Sequence, residues 1–508
     1  MRAAQLKAVL PRELLASVVV FLVALPLCMG IAIASGLPPA KGLITGIIGG
    51  LVVGWLAGSP LQVSGPAAGL AVLVFELVRQ HGVAMLGPIL LLAGFLQLVA
   101  GRLKLGCWFR VTAPAVVYGM LAGIGVLIVL SQVHVMLDGV PKPSGLDNLA
   151  AFPAAVMQAL PSLGWQAGLL GLSTMAVMGL WEKFRPHSLR FVPGALLGVG
   201  LATVASLMLA LQVKRVEVPA NLAEAIDWLK PADLLNLADP TLLVAAFAVA
   251  FIASAETLLS AAAVDRMHSG QRSDFDRELS AQGVGNMLCG LLGALPMTGV
   301  IVRSSANVQA GATTRLSAIF HGLWLLAFVL LLSNVLQSIP VASLAGVLVY
   351  TGFKLVDLKA FRGLGRYGRM PMFTYAATAL AIIFTDLLTG VLIGFGLTLA
   401  KLAWKASRLK ISLIDLPAEG EMELRLTGAA TFLKVPALTQ VLGTIPAGAT
   451  VHVPLNNLSY IDHSCLELLE EWGRANAAKG SSLLIEARGL KRRLEGRLRT
   501  TSGVGAAG

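Results

Sequence analysis

Charged residues are scarce in this sequence of 508 residues: they make up only 13% of it, about half the share of a typical soluble domain. Hydrophobic residues make up 56% of the chain, and the mean hydropathy is +0.79. This balance excludes an ordinary soluble globular protein and predicts a polytopic α-helical membrane protein. The four cysteines lack the spacing of a disulfide framework or a zinc site; they are Cys28, Cys107, Cys289 and Cys465.

Motifs of an enzyme are also missing. The sequence contains no nucleophile–base pair, no metal-type cluster and no phosphate-binding loop. The net charge of +12 does not indicate nucleic-acid binding, because most basic residues lie in loops beside apolar runs, where the positive-inside rule places them. We therefore expect a protein in contact with membrane lipid that is not an enzyme, has no cofactor and binds no nucleic acid.

Two apolar regions are interrupted by Gly and Pro at corresponding places in the two halves of the chain. The first interruption is QVSGPAAG at residues 62–69, and the second is LPMTGVIVRSS at residues 295–305. Pro66 suits the first position of a helix, which predicts a half-helix over residues 66–79 with its N-terminus inside the membrane. The second half-helix is expected at about residues 303–312. Such paired interruptions are typical of a transporter's binding site, and helix N-termini favour anions; two kinked helices without a ligand are the alternative.

Each half of the chain supplies seven apolar segments, at residues 12–212 and 240–406. Loops after even-numbered segments are basic, which predicts that both termini lie on the cytoplasmic side. We expect the membrane to be a bacterial-type plasma membrane. Seven segments in each half give the halves opposite topology, as in the inverted repeats of secondary transporters. We expect a transmembrane domain over residues 1–410.

The end of the chain has a different character. Alternating and amphipathic stretches follow one another in the order β-α-β-α-β. They predict a small cytoplasmic α/β domain over residues 411–500 and a disordered tail over residues 501–508.

Three groups of motifs resemble the SulP family of anion transporters. The first comprises ALPLCMGIA (24–32), GLPPAKGL (36–43) and GSPLQVSGP (58–66), the second is RSSANVQAGA (303–312), and the third is LSYIDHS (458–464), which is similar to a STAS domain. The resemblance implies fourteen segments arranged as a core and a gate domain, homodimers, anion substrates, and coupling to Na⁺ or H⁺ in many bacterial members.

The candidate substrate-binding residues follow from the two interruptions and the resemblance. They are Leu27, Ser64, Gly65, Pro66, Ala67, Thr298, Gly299, Arg303 and Ser304. Leu27 replaces a residue that is polar in several family members. Arg303 either binds the anion or sets the local potential, since an intramembrane charge is costly and usually functional.

The segment ETLLS (256–260) resembles the stretch that holds Na⁺ in cyanobacterial bicarbonate transporters of the family. Glu256 and Ser260 lie four residues apart, on one helix face, and are the candidates for the coupling ion. The alternative is that Glu256 only pairs with Arg303. In the C-terminal domain, we expect Asp462 to be a helix N-cap, in preference to part of a regulatory loop with Ser464.

The sequence thus predicts a secondary active transporter of a small inorganic anion, working by Na⁺ or H⁺ symport with alternating access. Because the resemblance at residues 256–260 is to bicarbonate transporters, bicarbonate is favoured. Sulfate, chloride and dicarboxylates are the alternatives within the family. An uncoupled anion channel and a sensor with a STAS output are the alternatives of other classes.

Overall fold

The structure is a computed structural model that describes residues 3–106, 114–142, 144–186, 189, 192–217, 219, 222–406, 409–417 and 420–486. The chain divides into two compact units, Met1–Phe395 and Gly396–Gly508. The expected domain boundary at residue 410 stays a prediction. Cys107 and the expected tail over residues 501–508 lie outside the described residues.

The first unit is helical, and its segment order repeats. The first half contains α1 (Ala3–Ala34), α2 (Pro39–Ile48), α3 (Ala71–His81), α4 (Val83–Arg102), α5 (Pro114–Met136), α6 (Gly145–Ala159), α7 (Gly164–Phe184) and α8 (Gly194–Met208). The second half begins with α9 (Pro240–Val264), α10 (Phe275–Leu291), α11 (Ile301–Gln309), α12 (Leu316–Leu331), α13 (Val341–Leu355) and α14 (Arg369–Phe384), and ends with α15 (Leu387–Ala406), which continues into the second unit.

Within the described residues, each half provides seven segments if α6 and α7 are taken together, since these two helices are bent by 115° at a short break. Six helical stretches are long and apolar enough to cross a membrane, or seven with that bent pair. The expected polytopic architecture with two half-helices, α3 and α11, is confirmed. Helix α6 and its sharp bend are the part that the apolar pattern missed.

Local sequence signals begin several of these helices. Asp239 accepts a hydrogen bond from the Thr241 backbone N–H at the start of α9, and Pro240 occupies the first turn. The N–H and hydroxyl of Thr241 lower the pKa of the Asp239 carboxyl, so it stays ionised where the helix dipole favours an anion. Asp274 caps α10 through the N–H groups of Asp276 and Arg277.

The two half-helices are preceded by extended chain, which corrects one expectation. Pro66 does not begin the first half-helix: it belongs to strand β1 (Ser64–Pro66), and a 3₁₀ turn at Ala68–Leu70 leads into α3. Strand β1 pairs antiparallel with β2 (Met297–Gly299). The pairing satisfies backbone groups that could not otherwise be hydrogen-bonded at membrane depth, so both helices begin only after the strands end.

The second unit is an α/β domain, as expected. Its strands are β3 (Leu409–Asp415), β4 (Glu421–Ala430), β5 (Thr450–Pro454), β6 (Leu458–Ile461) and β7 (Ser482–Glu486), and its helices are α16 (Val435–Leu442) and α17 (His463–Ala477). The sheet order is β3-β4-β5-β7, with β6 beside β4. Strands β3 and β6 were missing from the predicted order. Asp462 accepts a hydrogen bond from the Cys465 N–H, 3.0 Å away, which confirms the N-cap.

Candidate functional site

A row of buried polar side chains on α10 holds the two crossing strands. Glu278, Gln282 and Asn286 are spaced four residues apart, so they share one helix face, and all are fully buried. Gln282 Nε2 donates to Ser64 Oγ in β1, 2.6 Å away. Asn286 accepts from the N–H of Met297 in β2 at 2.7 Å and donates to its carbonyl at 3.1 Å. Gln282 thus binds a side chain of β1 and Asn286 binds the backbone of β2, and together they fix the position of the strands.

The same network reaches α9, which carries the candidate coupling residues. Asn286 donates to Gln97 at 2.8 Å, and Gln97 donates to Ser254 Oγ at 3.1 Å. Thr257 Oγ1 accepts from the Gly299 N–H at 3.1 Å, and its carbonyl accepts from Gln62 at 3.0 Å. Helix α9 is therefore joined by hydrogen bonds to β2 and to Gln62, two residues before β1.

A cavity of about 170 Å³ lies where α9 faces the beginnings of the half-helices. A water molecule takes up roughly 30 Å³ in the liquid, so this space is large enough for a small hydrated ion. Its walls come from α1, the turn before α3, α5, α9, the start of α11, and α13. The lining residues are Leu27, Ile31, Ala68, Gly69, Pro114, Val117, Tyr118, Met120, Leu121, Glu256, Leu259, Ser260, Ala262, Ala263, Arg266, Val300, Ile301, Val302, Thr351 and Leu355.

Glu256 and Ser260 place free oxygen atoms at this cavity. Glu256 Oε2 and Ser260 Oγ are buried and have no hydrogen-bond partner. The Gly69 backbone N–H faces the Glu256 carboxylate, and a Cβ added at Gly69 would lie 2.8 Å from Oε2. A carboxylate and a hydroxyl one helical turn apart suit a hard cation such as Na⁺, and a buried carboxylate is also suited to carry a proton.

Arg303 lies beside Gly65 of strand β1, and its predicted role in binding the anion or setting the local potential stays a prediction. Its side chain is fully buried but does not line the cavity, and a Cβ added at Gly65 would overlap with its Nη1 atom. Among the described residues, no nitrogen or oxygen atom is a hydrogen-bond partner of its three guanidinium nitrogens, although the Cys28 thiol lies beside the guanidinium. Among the described residues no ion pair joins Arg303 to Glu256, so the alternative of a structural pair has no support.

The other predicted residues lie mainly in the crossing strands. Leu27 lines the cavity with Glu256 and Ser260. The remaining predicted residues are buried behind the cavity wall: Ser64, Gly65, Pro66, Ala67, Thr298, Gly299 and Ser304. Ser304 Oγ, for example, accepts from the Val63 N–H at 2.9 Å. Their role in binding stays a prediction, and the structure favours a supporting position for them.

Several lining residues were missed from sequence. Strand β1 moves the start of the first half-helix from Pro66 to the turn at Ala68–Leu70, and the second half-helix, expected at about residues 303–312, is Ile301–Gln309. That shift could not be read from Gly and Pro alone. Arg266 had a signal, because Glu256, Ser260, Ala263 and Arg266 follow helical spacing.

The comparisons with known proteins agree with this architecture. The sequence pattern described as "Sulfate permease family" matches residues 10–378. "Putative sulfate transporter YvdB" of Bacillus subtilis is 30% identical over 389 residues, covering 75% of this chain and 72% of that protein. "Bicarbonate transporter BicA" of Synechocystis sp. is 27% identical over 498 residues, covering 89% and 85%.

Solved structures are similar as well. The transmembrane domain of a cyanobacterium bicarbonate transporter BicA has a TM-score of 0.65 at 26% identity, covering 75% of this chain and 97% of that one. The overall structure of SLC26A9 has a TM-score of 0.80 at 15% identity, covering 98% and 88%. The second likeness concerns the fold alone.

Proposed function

Since the chain belongs to the sulfate permease family of anion transporters, we propose that it carries bicarbonate across the membrane by Na⁺ or H⁺ symport with alternating access. The observation that carries this proposal is the cavity in which Glu256 and Ser260 meet the beginnings of both half-helices.

The half-helix ends supply the attraction for an anion. Ala68 and Gly69 begin the turn into α3, and Ile301 and Val302 begin α11, so residues from both helix starts line one end of the cavity. The Val300 N–H is not available to a ligand, because it donates to the Val63 carbonyl at 2.9 Å. Each helix terminus contributes roughly 0.3–2 kcal/mol to binding of a negative charge. Two termini that converge on one small cavity favour a monovalent or divalent inorganic anion over a neutral solute.

Glu256 supplies the argument for coupling. A bare carboxylate about 4 Å from a substrate anion would repel it by about 4 kcal/mol at an effective dielectric constant of 20. Anion binding beside Glu256 therefore requires that a proton or a cation neutralise the carboxylate. With Ser260 Oγ adjacent and unpartnered, the same two side chains bind Na⁺ or, without it, the proton.

Bicarbonate and sulfate remain the two leading substrates. The similarity to BicA over most of both chains supports bicarbonate, while the relative of 30% identity carries the name of a sulfate transporter. Chloride and dicarboxylates are the further substrate alternatives, and an uncoupled channel and a sensor with a STAS output are the alternatives of other classes. The uptake experiment described below distinguishes these alternatives.

Membrane placement and assembly are part of the proposal. The basic loops support a plasma-membrane protein with both termini in the cytoplasm. The α/β architecture of the second unit supports a STAS-like domain, and family resemblance supports a homodimer.

Uptake by proteoliposomes tests the function. The full chain is reconstituted and offered labelled bicarbonate, sulfate, chloride and a dicarboxylate, with and without inward Na⁺ or H⁺ gradients. Saturable bicarbonate accumulation driven by one gradient is expected. Sulfate accumulation in its place would change the substrate, ohmic gradient-independent flux would indicate a channel, and the lack of any flux in folded protein would overturn the proposal.

A further inference from the structure

Helix α9 and the turn after it place two opposite charges on the wall of the same cavity. Glu256 lies within the helix, and Arg266 lies just beyond its last residue, Val264. Ten residues of helix correspond to roughly 15 Å. The cavity therefore has Glu256 at one end, beside the half-helix termini, and Arg266 at the other end.

Arg266 is free to bind a ligand. Its side chain is exposed, and it makes no ion pair or hydrogen bond with the residues that the structure describes. The next two arginines differ: Arg272 donates to the Asp265 carbonyl, and Arg277 donates to the Leu56 carbonyl at 2.9 Å. Of these three neighbouring guanidinium groups, only Arg266 both lines the cavity and keeps its donors free.

We propose that Arg266 forms a second anion subsite, at which the transported oxyanion binds before it reaches Glu256 and the half-helix termini. This inference rests on the proposed function. The planar guanidinium matches two oxygens of a carbonate- or sulfate-type anion, whereas a spherical halide uses that geometry less well. The subsite therefore favours oxyanions at the Arg266 end of the cavity.

The distance between Glu256 and Arg266 allows an anion to bind at Arg266 first. Coulomb repulsion falls with distance, so an anion at Arg266, roughly 15 Å along the helix, feels about a quarter of the repulsion that it would feel about 4 Å from the Glu256 carboxylate. It binds while the carboxylate is still ionised. The opposite polarity of the two ends also draws a cation or proton toward Glu256. The anion then moves inward once Glu256 is neutralised.

The test compares R266Q with R102Q in the full reconstituted chain. Arg102, in the last turn of α4, is also exposed but does not line the cavity, so R102Q makes the same charge change elsewhere. Initial rates of labelled bicarbonate and sulfate flux are measured from each face separately. R266Q should raise the half-saturating oxyanion concentration about fivefold from the Arg266 face, as expected for one unit charge in water.

Three further readouts separate binding from structure. In R266Q, half-saturation from the opposite face and the Na⁺ or pH dependence should stay unchanged, and R266K should recover part of the affinity. The dependence of half-saturation on ionic strength should be weaker in R266Q than in R102Q.

If R266Q and R102Q have equal kinetics while the wild-type protein transports normally, the proposed subsite is wrong and the proposed function stands. Lack of wild-type transport would instead count against the proposed function. If R266Q does not fold, R266K decides, because wild-type affinity and unchanged halide-to-oxyanion selectivity in R266K would show that bidentate contact is not used.

Discussion

Glu256 and Arg303 are two charged side chains in apolar surroundings, and of the two Glu256 alone lines the cavity. The Glu256 carboxylate reaches the cavity and faces the Gly69 N–H. The Arg303 guanidinium is fully buried beside Gly65 and the Cys28 thiol, and it does not line the cavity. We therefore expect Glu256 to exchange a proton or cation at the cavity, and Arg303 to act on the cavity through its electric field. An intramembrane charge therefore does not by itself indicate contact with the cavity.

Glu256→Gln should have the largest effect, because it removes the only carboxylate among the described lining residues. We expect anion flux to lose its Na⁺ or pH dependence and gradient-driven accumulation to fall to simple equilibration. The amide keeps the size of the side chain, so unfolding free energy should change by less than about 1 kcal/mol. Counterflow and gradient-driven uptake in proteoliposomes measure this. Retained coupling in folded protein would place the coupling ion elsewhere.

Arg303→Met tests whether a charge outside the cavity still matters. Since a field acts at a distance, we expect the half-saturating anion concentration to rise about tenfold, or about 1.4 kcal/mol. Thermal stability should not fall, because burying an ion costs several kcal/mol. Arg303→Lys keeps the charge and serves as the control. Equal loss in both variants would indicate direct bidentate contact, and no loss in either would remove Arg303 from function.

Gly69→Ala tests the close contact between Gly69 and the Glu256 carboxylate. A Cβ at Gly69 would lie 2.8 Å from Glu256 Oε2, so the carboxylate must move. We expect the half-saturating concentration of the coupling ion to rise, because the displaced carboxylate binds that ion less well. The rise should be equivalent to about 1–3 kcal/mol, the usual cost of overpacking. Gly200→Ala is the matched control, since a Cβ there meets no atom within 4 Å. The same coupling-ion affinity in both variants would contradict the contact.

Ser260→Ala should have the smallest effect. Its Oγ has no hydrogen-bond partner, so the change removes no internal bond and should leave stability unaltered. If the hydroxyl binds the coupling ion, its loss should cost about 0.5–1.5 kcal/mol, seen as a several-fold rise in the half-saturating Na⁺ concentration. A purely proton-coupled carrier would show no such rise, and titrations with Na⁺ and with pH distinguish the two.

The sequence by itself determined the segments and their order. Hydropathy located nearly every helix of the first unit, because burial in lipid demands long apolar runs. Gly and Pro marked the two interruptions, and the spacing of Glu256 and Ser260 put them on one face, because helical geometry is local. Asp462 was likewise recognisable as an N-cap from its own neighbourhood.

Only the tertiary structure decided which residues meet at the cavity. Pairing of β1 with β2 joins residues more than two hundred positions apart, and no local pattern records that partner. The pairing places an extended strand before each half-helix, so Ala68 and Gly69 line the cavity in place of Pro66, and Arg303 lies beside Gly65 without lining it. Hydropathy reports how much of a segment is buried, but the direction of one side chain depends on the neighbours that pack around it.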